Sequence, residues 1–131
     1  MKAESTSQKG TQITHLKSNT TYNTDAPVDN NGRGATFSPT DLLASSLASC
    51  MITIMDIAAE KNGFNFSTCK ADIEKIMEAN PRRVGEVKIH LQFPNNNYSE
   101  EQKDLLKRAA LNCPVAKSLS SDLIQTVTFT F

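Results

Sequence analysis

The chain has 131 residues, a length that suits one domain with a core of its own. Its 14 Lys and Arg residues balance 14 Asp and Glu residues, so nothing in the charge favours nucleic acid or an anionic membrane. Three cysteines make an odd count, and MKAESTSQKGTQ has no apolar run; together they argue against a disulfide framework and for a reducing, cytoplasmic setting.

Residues 1–10 are polar and expected to be poorly ordered, and residues 1–131 read as a single domain. From Gln12 to Thr24 the chain is rich in Thr, Ile and Tyr around the turn signal Ser18-Asn19, which predicts a hairpin. Asp25 to Phe37 carries Pro27, Asn30, Asn31, Gly32 and Gly34 and reads as a long loop, which delivers Arg33 just ahead of the next element.

Ser38 to Lys61 is the centre of the chain. Ser38 can cap a helix, Pro39 suits its first position, and Asp41 puts a carboxylate in the first turn. Leu43, Leu47, Cys50 and Ile54 follow at helical spacing, with Leu42, Met51, Met55 and Ala58 beside them and only Ser45, Ser46, Ser49 and Thr53 opposite. A helix without a charged face is buried on most sides. Asp41 and Asp56 bracket an apolar run that falls short of the roughly 20 residues of a bilayer span, so a core helix is expected rather than a membrane segment.

Asn62-Gly63 ends that helix. Residues 66–78 then alternate, with Cys69, Ala71, Ile73 and Met77 on one face, and Asn80-Pro81-Arg82-Arg83 turns the chain. Val84 to Phe93 has a period of two, with Val87, Ile89, Leu91 and Phe93 inward, which predicts an antiparallel pair with one wet face. A second helix starts at the capping box Ser99-x-x-Gln102, and its stripe of Leu105, Leu106, Ala109 and Ala110 runs to Cys113. Pro114 interrupts it, Val115 to Leu119 forms a short helical piece, and LIQTVTFTF closes the chain as a strand. The order of elements is that of an α+β fold.

Cys50 and Cys113 each lie on an apolar helical stripe, where a free thiol also serves as a small buried hydrophobe. Cys69 reads as core packing. His15 and His90 have no metal-ligand spacing, and neither metal nor cofactor is expected.

Several segments resemble the OsmC/Ohr family: residues 24–32 (TDAPVDNNG), 37–43 (FSPTDLL), 48–51 (ASCM), 80–83 (NPRR) and 113–119 (CPVAKSL). The resemblance implies an OsmC-like fold, with antiparallel sheets wrapped around two central helices in an intertwined homodimer. It implies a thiol-dependent hydroperoxide reductase in which Cys50 is peroxidatic and Cys113 resolving, with an external dithiol, lipoyl-type or other, as reductant.

The chain departs from the family pattern at two places. Where the family has a glutamate ten residues before the peroxidatic cysteine, this chain has Thr40, with Asp41 beside it. The family's first-strand arginine falls near Gly10, where Lys9 is the nearby charge; Arg33, or less well Lys17, is the substitute. Arg33, Thr40 and Asp41 are therefore the candidate activating or orienting residues. These departures leave a second reading open: a non-catalytic dimer that binds a small molecule or senses redox state.

Overall fold

A computed structural model describes residues 1–131. The chain divides into two compact units, Met1–Leu43 and Ala44–Phe131. In the first, strands β1 (Lys2–Ser5), β2 (Gly10–His15) and β3 (Thr20–Asp25) form an antiparallel sheet in that order. The hairpin predicted for 12–24 is present, with Ile13 opposite Tyr22 and Asn19 in the left-handed region at its turn. The expectation of a poorly ordered start is corrected, because Lys2–Ser5 pairs with β2 from Lys2↔Thr14 to Ser5↔Thr11. Polar strands give no alternating apolar signal, so only the pairing reveals this one.

The loop after β3 contains a single 3₁₀ turn, Val28–Asn30. It folds back tightly: Gly32 N–H and Asn30 N–H both donate to the Pro27 carbonyl, and Gly34 N–H donates to that of Ala26. A Cβ on Gly32 would overlap the Ala26 backbone, so this turn admits no other residue.

Helix α1 spans Pro39–Lys61. The Ser38 hydroxyl accepts from Asp41 N–H at 3.1 Å, while Asp41 Oδ2 accepts from Ser38 N–H at 2.8 Å; this is a capping box closed by aspartate. At the other end Gly63 has φ +72°, Phe64 N–H donates to the Ala59 carbonyl and Gly63 N–H to that of Glu60, the Schellman pattern. The helix keeps its ladder through Asp56 to Lys61 and so reaches 23 residues. The extent read from Ser38 to Lys61 is the one observed; by length and composition alone the helix is long and apolar enough to cross a membrane, where the run between Asp41 and Asp56 was expected to fall short.

The buried face of α1 is also rotated from the predicted one. Ala44, Leu47, Ala48, Met51, Met55 and Ala59 are buried, whereas Cys50 and Ile54 are half-buried and Ile57 is exposed. Small residues win the inner side because alanines let the helix sit close to its neighbours, and a second apolar flank is left over.

In the second unit, β4 (Lys70–Ala79) and β5 (Arg82–Gln92) pair antiparallel through a turn with a cis Asn80–Pro81 bond. Every second residue of β5 is buried as expected: Val87, Ile89, Leu91, then Phe93 just beyond. The outer face is polar and cross-linked, with Lys88–Glu74 at 3.6 Å and Thr126 Oγ1 donating to Glu86 at 2.6 Å. Ile73 lies opposite the buried Ile89, on the expected face, but on the outer strand of the sheet it is 41% exposed, and a bulge shifts the register of β4 between Ile76 and Met77.

Helix α2 (Glu100–Leu111) carries the predicted capping box, worth about 1 kcal/mol, and buries Leu106 and Ala110. Helix α3 (Pro114–Ser118) follows at once, and strand β6 (Ile124–Thr130) ends the unit. β6 lies beside β5 but parallel to it, which corrects the all-antiparallel expectation. Two helices intervene between β5 and β6, a crossover long enough to let the chain return in the same direction. Phe93 stacks on Phe131 with ring centroids 4.7 Å apart, and Phe66 and Tyr98 meet Phe93 edge-on.

Candidate active site

The second unit brings two of the three thiols together. Cys50 lies in the middle of α1, and Cys113 sits between α2 and α3. The stripe predicted to run to Cys113 within one helix instead ends at Leu111. Cys113 is the N-cap of α3, with φ −64° and ψ 150°, and its sulfur accepts from Ala116 N–H at 3.4 Å. Proline at the next position favours this break, since it starts a helix readily but cannot continue one. The result turns the Cys113 side chain inward, where it is fully buried and lies within hydrogen-bond reach of the Cys50 thiol. Both are free thiols.

Burial pushes the Cys113 thiol up. The amides of Ala116 and Val115 pull it down, and the hydrogen bond and charge interaction with Cys50 raise it again. Cys50 is half-buried, on a flank it shares with Leu47, Ile54 and Ile57, and is the more accessible of the two.

Cys69 stands apart, half-buried just before β4, and desolvation raises its thiol to about 11. Only about one in a thousand such thiols is ionised at pH 8. Cys69 is therefore expected to resist iodoacetamide at pH 8 in the native protein and to gain reactivity nearly tenfold per pH unit up to about 11. Peptide mapping of alkylated protein reads this directly, and rapid labelling at pH 7 would contradict it.

The other candidates lie in the first unit. Arg33 is in the loop, its Nε 3.2 Å from Oδ2 of the buried Asp25 and its Nη1 hydrogen-bonded to Gln8. Asp25 Oδ2 also accepts from Ala35 N–H at 3.1 Å, so this one carboxylate ties β3 to the loop. Thr40 and Asp41 stand in the first turn of α1, roughly three helical turns before Cys50, and share hydrogen bonds with Ser38. Gly10 is buried, and a Cβ there would overlap the Thr24 carbonyl oxygen and lie 2.8 Å from Thr6 Oγ1. The backbone that fills this space leaves no room for an arginine.

Asp25 was not among the residues the sequence singled out. A signal existed: Arg33 is the only cation between Lys17 and Lys61, and Asp25 and Asp29 precede it in the same loop. The Ala116 amide had no signal beyond the proline that starts α3.

The OsmC-like protein family model matches residues 32–127, which includes both Cys50 and Cys113. The chain belongs to the OsmC-like protein family. A protein of Psychrobacter arcticus 273-4, named provisionally as osmotic-stress-induced and part of a detoxification response, is 44% identical over 98% of this chain and 93% of its own, with a TM-score of 0.92. The organic hydroperoxide resistance protein OsmC of Legionella pneumophila shares the fold at 17% identity, with a TM-score of 0.78 over 99% of this chain and 94% of its own. OhrB of Bacillus subtilis, also an organic hydroperoxide resistance protein, does so at 16% identity and 0.70 over 98% and 95%. No match was found among curated proteins. The OsmC-like α+β architecture predicted from the sequence is the one observed.

Proposed function

We propose that this OsmC-like protein reduces organic hydroperoxides through a two-cysteine cycle. The observation that carries the reading is the meeting of two free thiols, one fully buried and one half-buried, within hydrogen-bond reach of each other. The Cys50 thiolate attacks the terminal peroxide oxygen, the O–O bond breaks, and the alkoxide leaves and takes up a proton as the alcohol. Cys50 is left as a sulfenic acid. The Cys113 sulfur then attacks the Cys50 sulfur, and its proton leaves with the hydroxyl as water, closing a disulfide. Ile54 and Ile57 beside Cys50 suit an alkyl or aryl substituent better than hydrogen peroxide. An external dithiol in a reducing, cytoplasmic setting returns both thiols, and no cofactor or metal is invoked.

The active form in this reading is a homodimer. A third of the apolar window of α1 is buried within one chain, and its Cys50–Ile54–Ile57 flank needs further cover. A second copy supplies that cover without calling on a membrane. Light scattering at micromolar concentration is expected to give a two-chain mass; a one-chain mass would count against the dimer.

The test of function is stoichiometric. Pre-reduced protein is given one equivalent of cumene hydroperoxide, and free thiols are counted by mass spectrometry against time. Loss of Cys50 and Cys113 within seconds, with Cys69 spared, is the expected result.

A second reading has its own observation. Arg33 is engaged by Asp25 and Gln8, Gly10 cannot carry a side chain, and Asp41 closes the helix cap. These are the positions from which an activating cation or an orienting carboxylate would come. A thiol pair without them suits a small-molecule-binding or redox-sensing dimer, and no thiol loss over minutes would favour that reading.

A further inference from the structure

Strand β6 carries one inversion of its pattern. Val127 and Phe129 fall on the inner face and the threonines beside them on the outer one, yet Gln125 is inside and Ile124, 59% exposed, is outside. Gln125 pairs in register with Val87, which is fully buried. A polar side chain on an apolar face costs free energy unless it finds a partner. Its partner is the Ala116 carbonyl, to which Gln125 Nε2 donates at 3.1 Å. Helix α3 is little more than one turn and ends at Ser118. Ala116 is therefore among the last four residues, whose carbonyls have no partner within the helix.

The N–H of that same residue donates to the Cys113 sulfur, 3.4 Å away. We propose that Gln125 is a positioning residue for Cys113: it holds Ala116 by the carbonyl so that the amide stays aimed at the sulfur. This role rests on the two-thiol reading above. When the bridge closes, the Cys113 sulfur bonds to the Cys50 sulfur of the sulfenic acid, and the hydroxyl leaves with the Cys113 proton as water. An N–H aimed at the sulfur favours the ionised form that attacks.

So short a helix does not hold itself, because its few internal bonds do not offset the entropy of fixing the chain. Lys117 N–H donates to the Cys113 carbonyl at 3.1 Å, and Ser118 Oγ to that of Pro114 at 2.8 Å. Both bonds lie within residues 113–118 and move with them. Gln125 belongs instead to a strand paired with β5, so its bond fixes α3 against the sheet. The consequence reaches the thiol directly. The Ala116 amide pulls Cys113 down against burial, and Cys50 is the titratable group facing it. Without the carbonyl tie the amide drifts, and the Cys113 thiol rises.

Gln125→Met tests this, because methionine keeps the length and suits an apolar face but has no N–H to donate. In reduced full-length protein with isotope-labelled cysteine followed by NMR, the Cys113 titration is expected to move to higher pH while that of Cys69 stays. Hydrogen exchange at the Ala116 amide should speed up, with Leu106 and Ala110 in α2 still protected. Gln125→Leu should give the same pattern, so the outcome does not hang on one side chain. With cumene hydroperoxide, the attack by Cys50 should keep its rate, and closure of the bridge should slow about threefold. One hydrogen bond changes the ionised fraction about five- to tenfold, and roughly half of that, on a logarithmic scale, is cancelled because a more basic thiolate attacks faster. Faster exchange with an unmoved Cys113 titration would make Gln125 a tie for α3 alone and overturn the proposal. So would unchanged exchange at Ala116. If neither wild type nor variant reacts with the hydroperoxide, the peroxidase reading falls by itself, and the titration still decides the role of Gln125.

Discussion

Replacing Cys50 with serine is expected to lower hydroperoxide consumption by at least about 1000-fold, the scale on which loss of a nucleophile acts. A serine hydroxyl fills nearly the same volume on the α1 flank but does not ionise near neutral pH, so fold and activity should separate. Cys113→Ser should behave differently. The first equivalent of cumene hydroperoxide still reacts, because the attacking sulfur is untouched, and one thiol is lost instead of two. Without the resolving thiol the sulfenic acid has no partner within the chain, since Cys69 lies before β4 and is held protonated by burial. Further peroxide should then carry Cys50 to the sulfinic acid, read as a second added oxygen on its peptide. Peroxide consumption assays and intact-mass spectra on both variants decide the matter. Normal multiple turnover by Cys50→Ser would end the two-cysteine reading.

The contrast between the variants depends on the position of Cys113, a detail that was only partly legible in the sequence. Its place on an apolar stripe and the proline after it were plain, and the family motif around it set the pairing with Cys50. What periodicity could not show is that the helix ends at Leu111 and that Cys113 becomes a cap with an amide aimed at its sulfur. Capping geometry is decided by a single ψ angle, which leaves no periodic trace. The strands of the second unit show the same division. The alternation of β5 survived intact because strands pair with it on both sides, whereas on β4 Ile73 keeps the face of its partner Ile89 yet is 41% exposed, because β4 is the outer strand, and the register shifts only beyond Ile76. The direction of β6 was hidden for another reason: alternation is identical in parallel and antiparallel strands, and a crossover as long as this one permits either. Arg33 was singled out as the cation of its loop, but its partner Asp25 was not, because a buried carboxylate at a strand end looks in sequence like any polar turn residue.

Gly10→Ala is expected to destabilise the first unit by about 1–3 kcal/mol, the usual cost of forcing volume into filled space. The added methyl would press on the Thr24 carbonyl oxygen, which belongs to the backbone of β3 next to the Gly10↔Asp25 pair. Relief would require β2 and β3 to move apart. Thr6 Oγ1, 2.8 Å from the same position, is the softer obstacle, since a side chain can rotate. The double variant Thr6→Ala with Gly10→Ala should therefore recover only a minor part of the loss, because the carbonyl remains. Urea denaturation of the two single variants and the double one measures this, and full recovery in the double variant would show that Thr6 alone made the site tight. Gly10→Arg should be at least as unstable as Gly10→Ala and should not raise hydroperoxide consumption, even though it restores the side chain that the family pattern carries near this position. The departure is then a property of how β2 meets β3. Any positive charge that activates Cys50 has to come from elsewhere, and Arg33, held by Asp25, is the residue whose replacement by glutamine tests that next.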